Sequence, residues 1–166
     1  RLVAAMADCP SVCEHLHLPV QSGSDEVLRR MGRQYSVAAY RELVARLRAA
    51  VPGISLTTDV IVGFCGESEA HFEATLDLLR EVRFDQVFAA AYSPRPGTPA
   101  AQLADDVPAG DKRRRLNALL DFQEGIGRER NEAWVGRRSE VLVEGVRPRR
   151  AHHHGAAAEE RQDGQR

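Results

Sequence analysis

Three short segments hold residue types that do chemistry when gathered in one place: Gln21-Ser22-Gly23-Ser24, Gly63-Phe64-Cys65-Gly66-Glu67 and Ser93-Pro94-Arg95-Pro96-Gly97-Thr98. Each joins turn-forming glycine or proline to an amide, hydroxyl, carboxylate or guanidinium able to bind ligand oxygen or nitrogen. Taken singly, each reads first as an ordinary turn, and it is their conjunction on one edge that points to a site. Asp59 adds weight, because a carboxylate set in the run Thr57–Val62 carries a desolvation penalty unless it is paired internally or faces a polar site. Cys9 and Cys13 have CxxxC spacing, which suggests an iron–sulfur ligand pair, but no third cysteine follows two residues later and Cys65 is distant. No metal ligand is therefore assigned in this chain. Two basic runs, Lys112–Arg115 and Arg147–Arg150, are read as solvated faces compatible with RNA phosphate. His152–His154 reads as a metal-binding tract or a tag remnant.

The elements that must position these residues alternate in type. His15–Val20 places Leu16, Leu18 and Val20 on one face, the period-two pattern of a strand. Ser22, Gly23 and Ser24 break it, and Val27, Leu28 and Met31 start a helix at about Asp25. Ser36 caps a second helix with Tyr40, Leu43, Val44 and Leu47 on its inner stripe, stopped by Pro52-Gly53. Ile54–Phe64 is a strand whose Val60-Ile61-Val62 run predicts burial on both faces. Ser68 caps a helix carrying Phe72, Leu76, Leu79 and Val82, and Phe84–Tyr92 predicts another buried strand. An irregular Pro-rich loop over Ser93–Pro108 leads to a long helix, about Ala109 to Trp134, with Leu116, Leu119, Leu120, Gln123, Ile126 and Trp134 inward. Ser139–Val146 predicts a last strand. Alternation of this kind predicts βαβ units and a parallel sheet, open or closed into a barrel. Ligands of such folds gather at the carboxyl ends of the strands, where all three segments lie.

The bulk numbers narrow the class. With 23 Lys+Arg against 24 Asp+Glu the chain is not a globally basic nucleic-acid binder. No run reaches the roughly 18 apolar residues a membrane helix needs, and no signal-peptide order opens the chain, so it is read as soluble and cytoplasmic. Three cysteines cannot close a disulfide framework, which favours a reducing compartment. The absence of an initiator Met at Arg1 and the aperiodic stretch His152–Arg166 suggest a piece of a longer protein.

Four ordered segments, HLPVQSGSDEVLRRMGRQY (His17–Tyr35), TTDVIVGFCGESE (Thr57–Glu69), FDQVFAAAYSPRPGTPAA (Phe84–Ala101) and NEAWVGRRSEVLVEG (Asn131–Gly145), closely resemble the MiaB-type methylthiotransferases, radical S-adenosylmethionine enzymes that modify tRNA. The resemblance runs from about Leu2 to Gly145. It implies an α/β fold: the C-terminal half of a radical SAM partial (β/α)6 TIM barrel over residues 1–135, the truncated start of a TRAM β-barrel over 136–150, and an aberrant or disordered tail over 151–166. The activity implied is addition of a methylthio group to C2 of N6-isopentenyladenosine beside the anticodon. Its cofactors would be S-adenosylmethionine and two 4Fe–4S clusters, one of them on a CxxxCxxC loop that would precede Arg1. The partners implied are tRNA and the missing N-terminal half of the enzyme.

By the same resemblance Gln21 and Ser22 contact S-adenosylmethionine, Arg33 pairs with its carboxylate, and Asp59 accepts from its ammonium or ribose hydroxyls. Arg95 is the candidate contact to tRNA, and Arg33 as a solvated helix-end charge is the plain alternative. Cys65 stands where the family has proline in a GFPGE loop. The other readings are a sister methylthiotransferase for threonylcarbamoyl-adenosine or a ribosomal protein, and an inactive cofactor- or RNA-binding remnant. PVQSGS, in place of PLQHAS, favours tRNA.

Overall fold

A computed structural model describes residues 1–138, 140–143 and 145. The chain divides into two units, Arg1–Val135 and Gly136–Arg166. The first holds three parallel strands in the order β1 (His15–His17), β2 (Ser55–Val62), β3 (Gln86–Ala91). Five α-helices accompany them: α1 (Leu2–Asp8), α2 (Asp25–Arg30), α3 (Val37–Ala50), α4 (Glu69–Val82) and α5 (Ala109–Glu132). The apolar alternation decides which sheet face the helices cover. Leu56, Val60 and Val62 of β2 and Val87 of β3 are buried with Leu47, Leu78, Leu79, Phe84 and Leu119 in one core. The facing register, His17 beside Thr57 and Asp59 beside Phe88, sets the opposite face with polar and aromatic side chains.

That second face corrects two expectations. Ile61 is only half-buried, and β3 is not a buried strand, since Gln86, Phe88 and Ala90 are exposed. A continuous apolar run predicts two covered faces, but among the described residues helices cover one face only. Leu120 of α5 and Trp134, in the turn after it, are exposed rather than inward. The solvated-face reading of Lys112–Arg115 holds for Arg113 and Arg114 only, because Lys112 and Arg115 are buried. Helix α1, which the sequence reading left unassigned, packs on α3 through Met6. The predicted strand Ser139–Val146 lies partly outside the described residues, and Glu140–Val143 is exposed with no regular structure. The Arg147–Arg150 and His152–His154 readings lie outside them entirely.

Both predicted caps form, with Ser36 Oγ accepting from Ala39 N–H and Ser68 Oγ from His71 N–H. The first strand is shorter than predicted because Pro19 has no N–H for the ladder. Side chains satisfy the backbone there instead. Tyr40 donates to Leu18 O at 2.7 Å, Thr58 Oγ1 donates to the same oxygen at 2.8 Å and accepts from Val20 N–H, and Tyr35 donates to Val20 O. Gln21 then re-pairs with β2 beside Val60.

Burial, only partly offset by the hydrogen bond with Thr58, pushes the Tyr40 hydroxyl up to about 12 from 10.0. The folded state therefore holds this proton more tightly than the unfolded chain, and stability falls as pH rises from 10 through about 12. Tyr40→Phe leaves Leu18 O its bond from Thr58, so the expected loss at neutral pH is about 1 kcal/mol. Urea midpoints at pH 8 and 11 should show the variant with a shallower alkaline decline than the wild type.

Candidate functional site

A cleft of about 660 Å³ opens on the uncovered sheet face at the carboxyl ends of the strands, lined by Gln21, Arg33, Asp59 and Arg95 among others. Four of the five residues singled out from the sequence thus meet in one place. Ser22 does not join them. It is fully buried against α4, where its Oγ lies 3.5 Å from Thr75 Oγ1 and accepts from Ser24 N–H at 3.2 Å.

Each cleft residue is delivered by a local backbone device. Gln21 has φ of 68°, a conformation L-residues avoid, while its N–H and C=O stay bonded to Asp59 O and Ile61 N. Such strain persists only where the surroundings over-determine it, and it is frequent at ligand sites. Arg33 follows a Schellman cap on α2: Gly32 at φ of 73° donates to Arg29 O and Arg33 N–H donates to Leu28 O. The helix therefore ends on a fixed turn that brings Arg33 to the cleft. Arg95-Pro96-Gly97-Thr98 closes with Thr98 N–H on Arg95 O at 3.2 Å and Gly97 at φ of 82°, as a type II turn requires. Asp59 comes from the open face of β2, and its Oδ2 lies 3.3 Å from His17 Nε2.

The loops stand on a buried ionic brace. Glu67 Oε1 accepts from Gly63 N–H at 2.7 Å and from Arg115 Nη1 at 2.9 Å. Arg115 also donates to Glu67 O at 3.0 Å. Burial raises the Glu67 carboxyl above the ordinary glutamate range, against the opposing pull of the Gly63 N–H and the Arg115 guanidinium. Lys112 lies across Gly63 and bonds Tyr92 O and Asp105. Gly23 completes the support: its N–H donates to Thr75 Oγ1 at 2.9 Å, and a Cβ there would stand 2.4 Å from Ala74 O.

Phe64, Tyr92, Phe88 and Met31 supply the apolar lining. Phe64 and Tyr92 meet edge to face at 4.8 Å. Two cations, one carboxylate and an apolar wall suit a ligand that is zwitterionic at one end and aromatic at the other.

The Radical SAM superfamily model matches residues 1–79. The chain is 50% identical over 145 residues to a tRNA-2-methylthio-N(6)-dimethylallyladenosine synthase of Acetivibrio thermocellus, covering 87% of this chain and 30% of that protein. Relatives of the same name from Moorella thermoacetica and Geobacter sulfurreducens are 53% and 52% identical, over 87% and 89% of this chain and 32% and 33% of theirs. By these matches the chain resembles the radical SAM superfamily. Among solved structures, coproporphyrinogen III oxidase from Escherichia coli, described as a radical SAM enzyme, superposes with a TM-score of 0.57 at 24% identity. It covers 69% of this chain and 27% of its own, and shows the shared fold. The chain spans about a third of the length of the curated relatives it matches.

The two groups expected in a radical SAM protein fare differently against these residues. The cleft suits S-adenosylmethionine: its cations would take a carboxylate, Asp59 an ammonium and the apolar wall an adenine. An iron–sulfur cluster does not fit. Cys9 and Cys13 are exposed ahead of β1, Cys65 is buried in the loop after β2, and no three metal-ligating residues converge among the described residues.

The sequence reading missed His17, Phe64 and Phe88 as lining or supporting groups, and the Glu67–Arg115 brace. A signal for the brace existed: the inward stripe Ile126, Gln123, Leu119, continued backwards at helical spacing, lands on Arg115 and Lys112.

Proposed function

We propose that this chain is the part of a tRNA methylthiotransferase that holds S-adenosylmethionine and faces the substrate, in an enzyme adding a methylthio group to C2 of N6-isopentenyladenosine in tRNA. Identity near one half over most of the chain with relatives named for that modification carries the reading. In it, Arg33 pairs with the ligand carboxylate, Gln21 orients the ligand from the strand end, Asp59 accepts from the ammonium or ribose, and Arg95 meets tRNA. Ser22 acts from behind, fixing the turn that presents Gln21. S-adenosylmethionine, when bound, supplies its reactive sulfonium carbons at this strand edge.

In this reading the iron–sulfur clusters are held by residues outside this chain. Residues 136–150 are read as the opening of a TRAM domain. No helix among the described residues is long and apolar enough to cross a membrane, and a tRNA substrate supports a cytoplasmic site of action.

Nucleoside mass spectrometry of tRNA from cells lacking the gene tests the activity. N6-isopentenyladenosine should accumulate in place of its 2-methylthio form. Loss of a threonylcarbamoyl-adenosine derivative, or of a ribosomal-protein modification, would transfer the assignment to a sister enzyme. At the cleft, Arg33→Ala and Asp59→Ala should each weaken S-adenosylmethionine binding about tenfold by calorimetry, as for one lost charge-assisted hydrogen bond. Unchanged affinity in both would remove the ligand from this cleft.

A further inference from the structure

Beside the cleft, sharing Asp59 and Phe88 with it, lies a smaller hollow lined by His15, His17, Thr57 and Gln86. The side chains on its floor form a chain of hydrogen bonds. His15 Nε2 stands 3.3 Å from Thr57 Oγ1, Thr57 Oγ1 2.9 Å from His17 Nδ1, and His17 Nε2 3.3 Å from Asp59 Oδ2. An ionised carboxylate only accepts, so His17 Nε2 carries a proton toward Asp59. In the neutral ring Nδ1 is then an acceptor, and the Thr57 hydroxyl, which donates to it, accepts from His15. All three bonds run in one direction.

Stability does not account for this arrangement. His17 and Asp59 side chains are each 40% exposed, and a contact that open to water adds little to stability. The geometry is nonetheless held on three sides. Thr57 is buried, the parallel register sets His17 beside Thr57, and Phe88 meets the imidazole edge to face at 5.8 Å. The chain thus ends on one oxygen of the one carboxylate that lines the cleft, leaving Oδ1 for a ligand.

We propose that His17 is a positioning residue for the cleft: through its Nε2–H, the tautomer that the Asp59 carboxylate selects and that Thr57 and His15 match, it fixes that carboxylate in the orientation that receives a ligand ammonium or ribose hydroxyl. The proposal rests on the S-adenosylmethionine reading of Asp59 given above. His17 itself lines the neighbouring hollow and acts on the ligand only through Asp59.

Two measurements on the 166-residue chain test it separately from that reading. In calorimetry with S-adenosylmethionine, His17→Ala should bind about three- to tenfold more weakly than wild type, the equivalent of one lost hydrogen bond. His17→Gln, whose amide N–H can still reach Asp59, should recover to within about twofold. Equal affinity of His17→Ala and wild type would overturn the proposal, and so would failure of the glutamine variant to recover. Nitrogen-15 spectra of labelled histidines should show the Nε2–H tautomer at His17, and its preference should be lost in Asp59→Ala. A spectrum unchanged by that substitution overturns the proposal even where no ligand heat is seen. Absence of ligand heat in the wild type counts against the cofactor reading alone.

Discussion

Arg115→Met is expected to destabilise the chain by about 3–5 kcal/mol, the usual cost of stranding one member of a buried ion pair. Arg115 and Glu67 side chains are 6% and 1% exposed, so neither can recover water when its partner leaves. The second contact of Arg115, to Glu69 at 3.2 Å, adds little because Glu69 is half exposed and shared with Arg114. The pH dependence follows from the raised Glu67 carboxyl. The folded state binds this proton more tightly than the unfolded chain. Stability therefore declines as pH rises through the raised value and is level above it. Removing Arg115 takes away one of the pulls that oppose burial, so the decline should steepen and reach higher pH. Urea unfolding from pH 4 to 8 measures both effects. Adding Glu67→Gln to Arg115→Met, which removes the charge and keeps an acceptor for Gly63 N–H, should restore part of the loss. A double variant no more stable than Arg115→Met would show that the charge pair is not what the site depends on.

Gly23→Ala should cost about 1–3 kcal/mol or more through overpacking, with loss of ligand affinity alongside. The added methyl would meet main-chain atoms, Ala74 O at 2.4 Å and Thr75 Cα at 2.5 Å, and a helix backbone cannot rotate aside as a side chain does. The strand-end turn must then lift from α4, breaking the Gly23–Thr75 bond and releasing the strained Gln21 next to it. Gly125→Ala is the control. It lies inside α5 with open space around its Cβ position, and alanine there should stabilise by about 0.5–1 kcal/mol. Denaturant midpoints for the two variants should move in opposite directions.

Most of the framework was legible in the sequence because it rests on local rules. Ser36 and Ser68 accept from their helices' first turns, and Leu16 and Leu56 alternate with polar neighbours on the face that packs. What was not legible depends on partners far along the chain. Nothing local shows that Ser22 meets Thr75, or that Arg115 meets Glu67 across 48 positions. Similarly, Val60-Ile61-Val62 cannot reveal how many of its faces are covered, since that is a property of neighbouring elements. The cleft residues were found because strand ends are where parallel α/β folds bind ligands. Their supports escaped notice because charged side chains on a helix are ordinarily solvated.

The internal brace has an electrostatic corollary for the helix that carries it. Binding to a polyanion draws much of its free energy from the counterions that each free cation displaces, and affinity then falls steeply with salt. Of Lys112, Arg113, Arg114 and Arg115, the first and last are sequestered, and Arg114 is already shared between Glu69 and Asp111. Four basic letters therefore present far less than four charges to solvent. Measured against added salt, any association of this unit with tRNA should lose little of its slope when Lys112 or Arg115 is replaced, and more when Arg95 is.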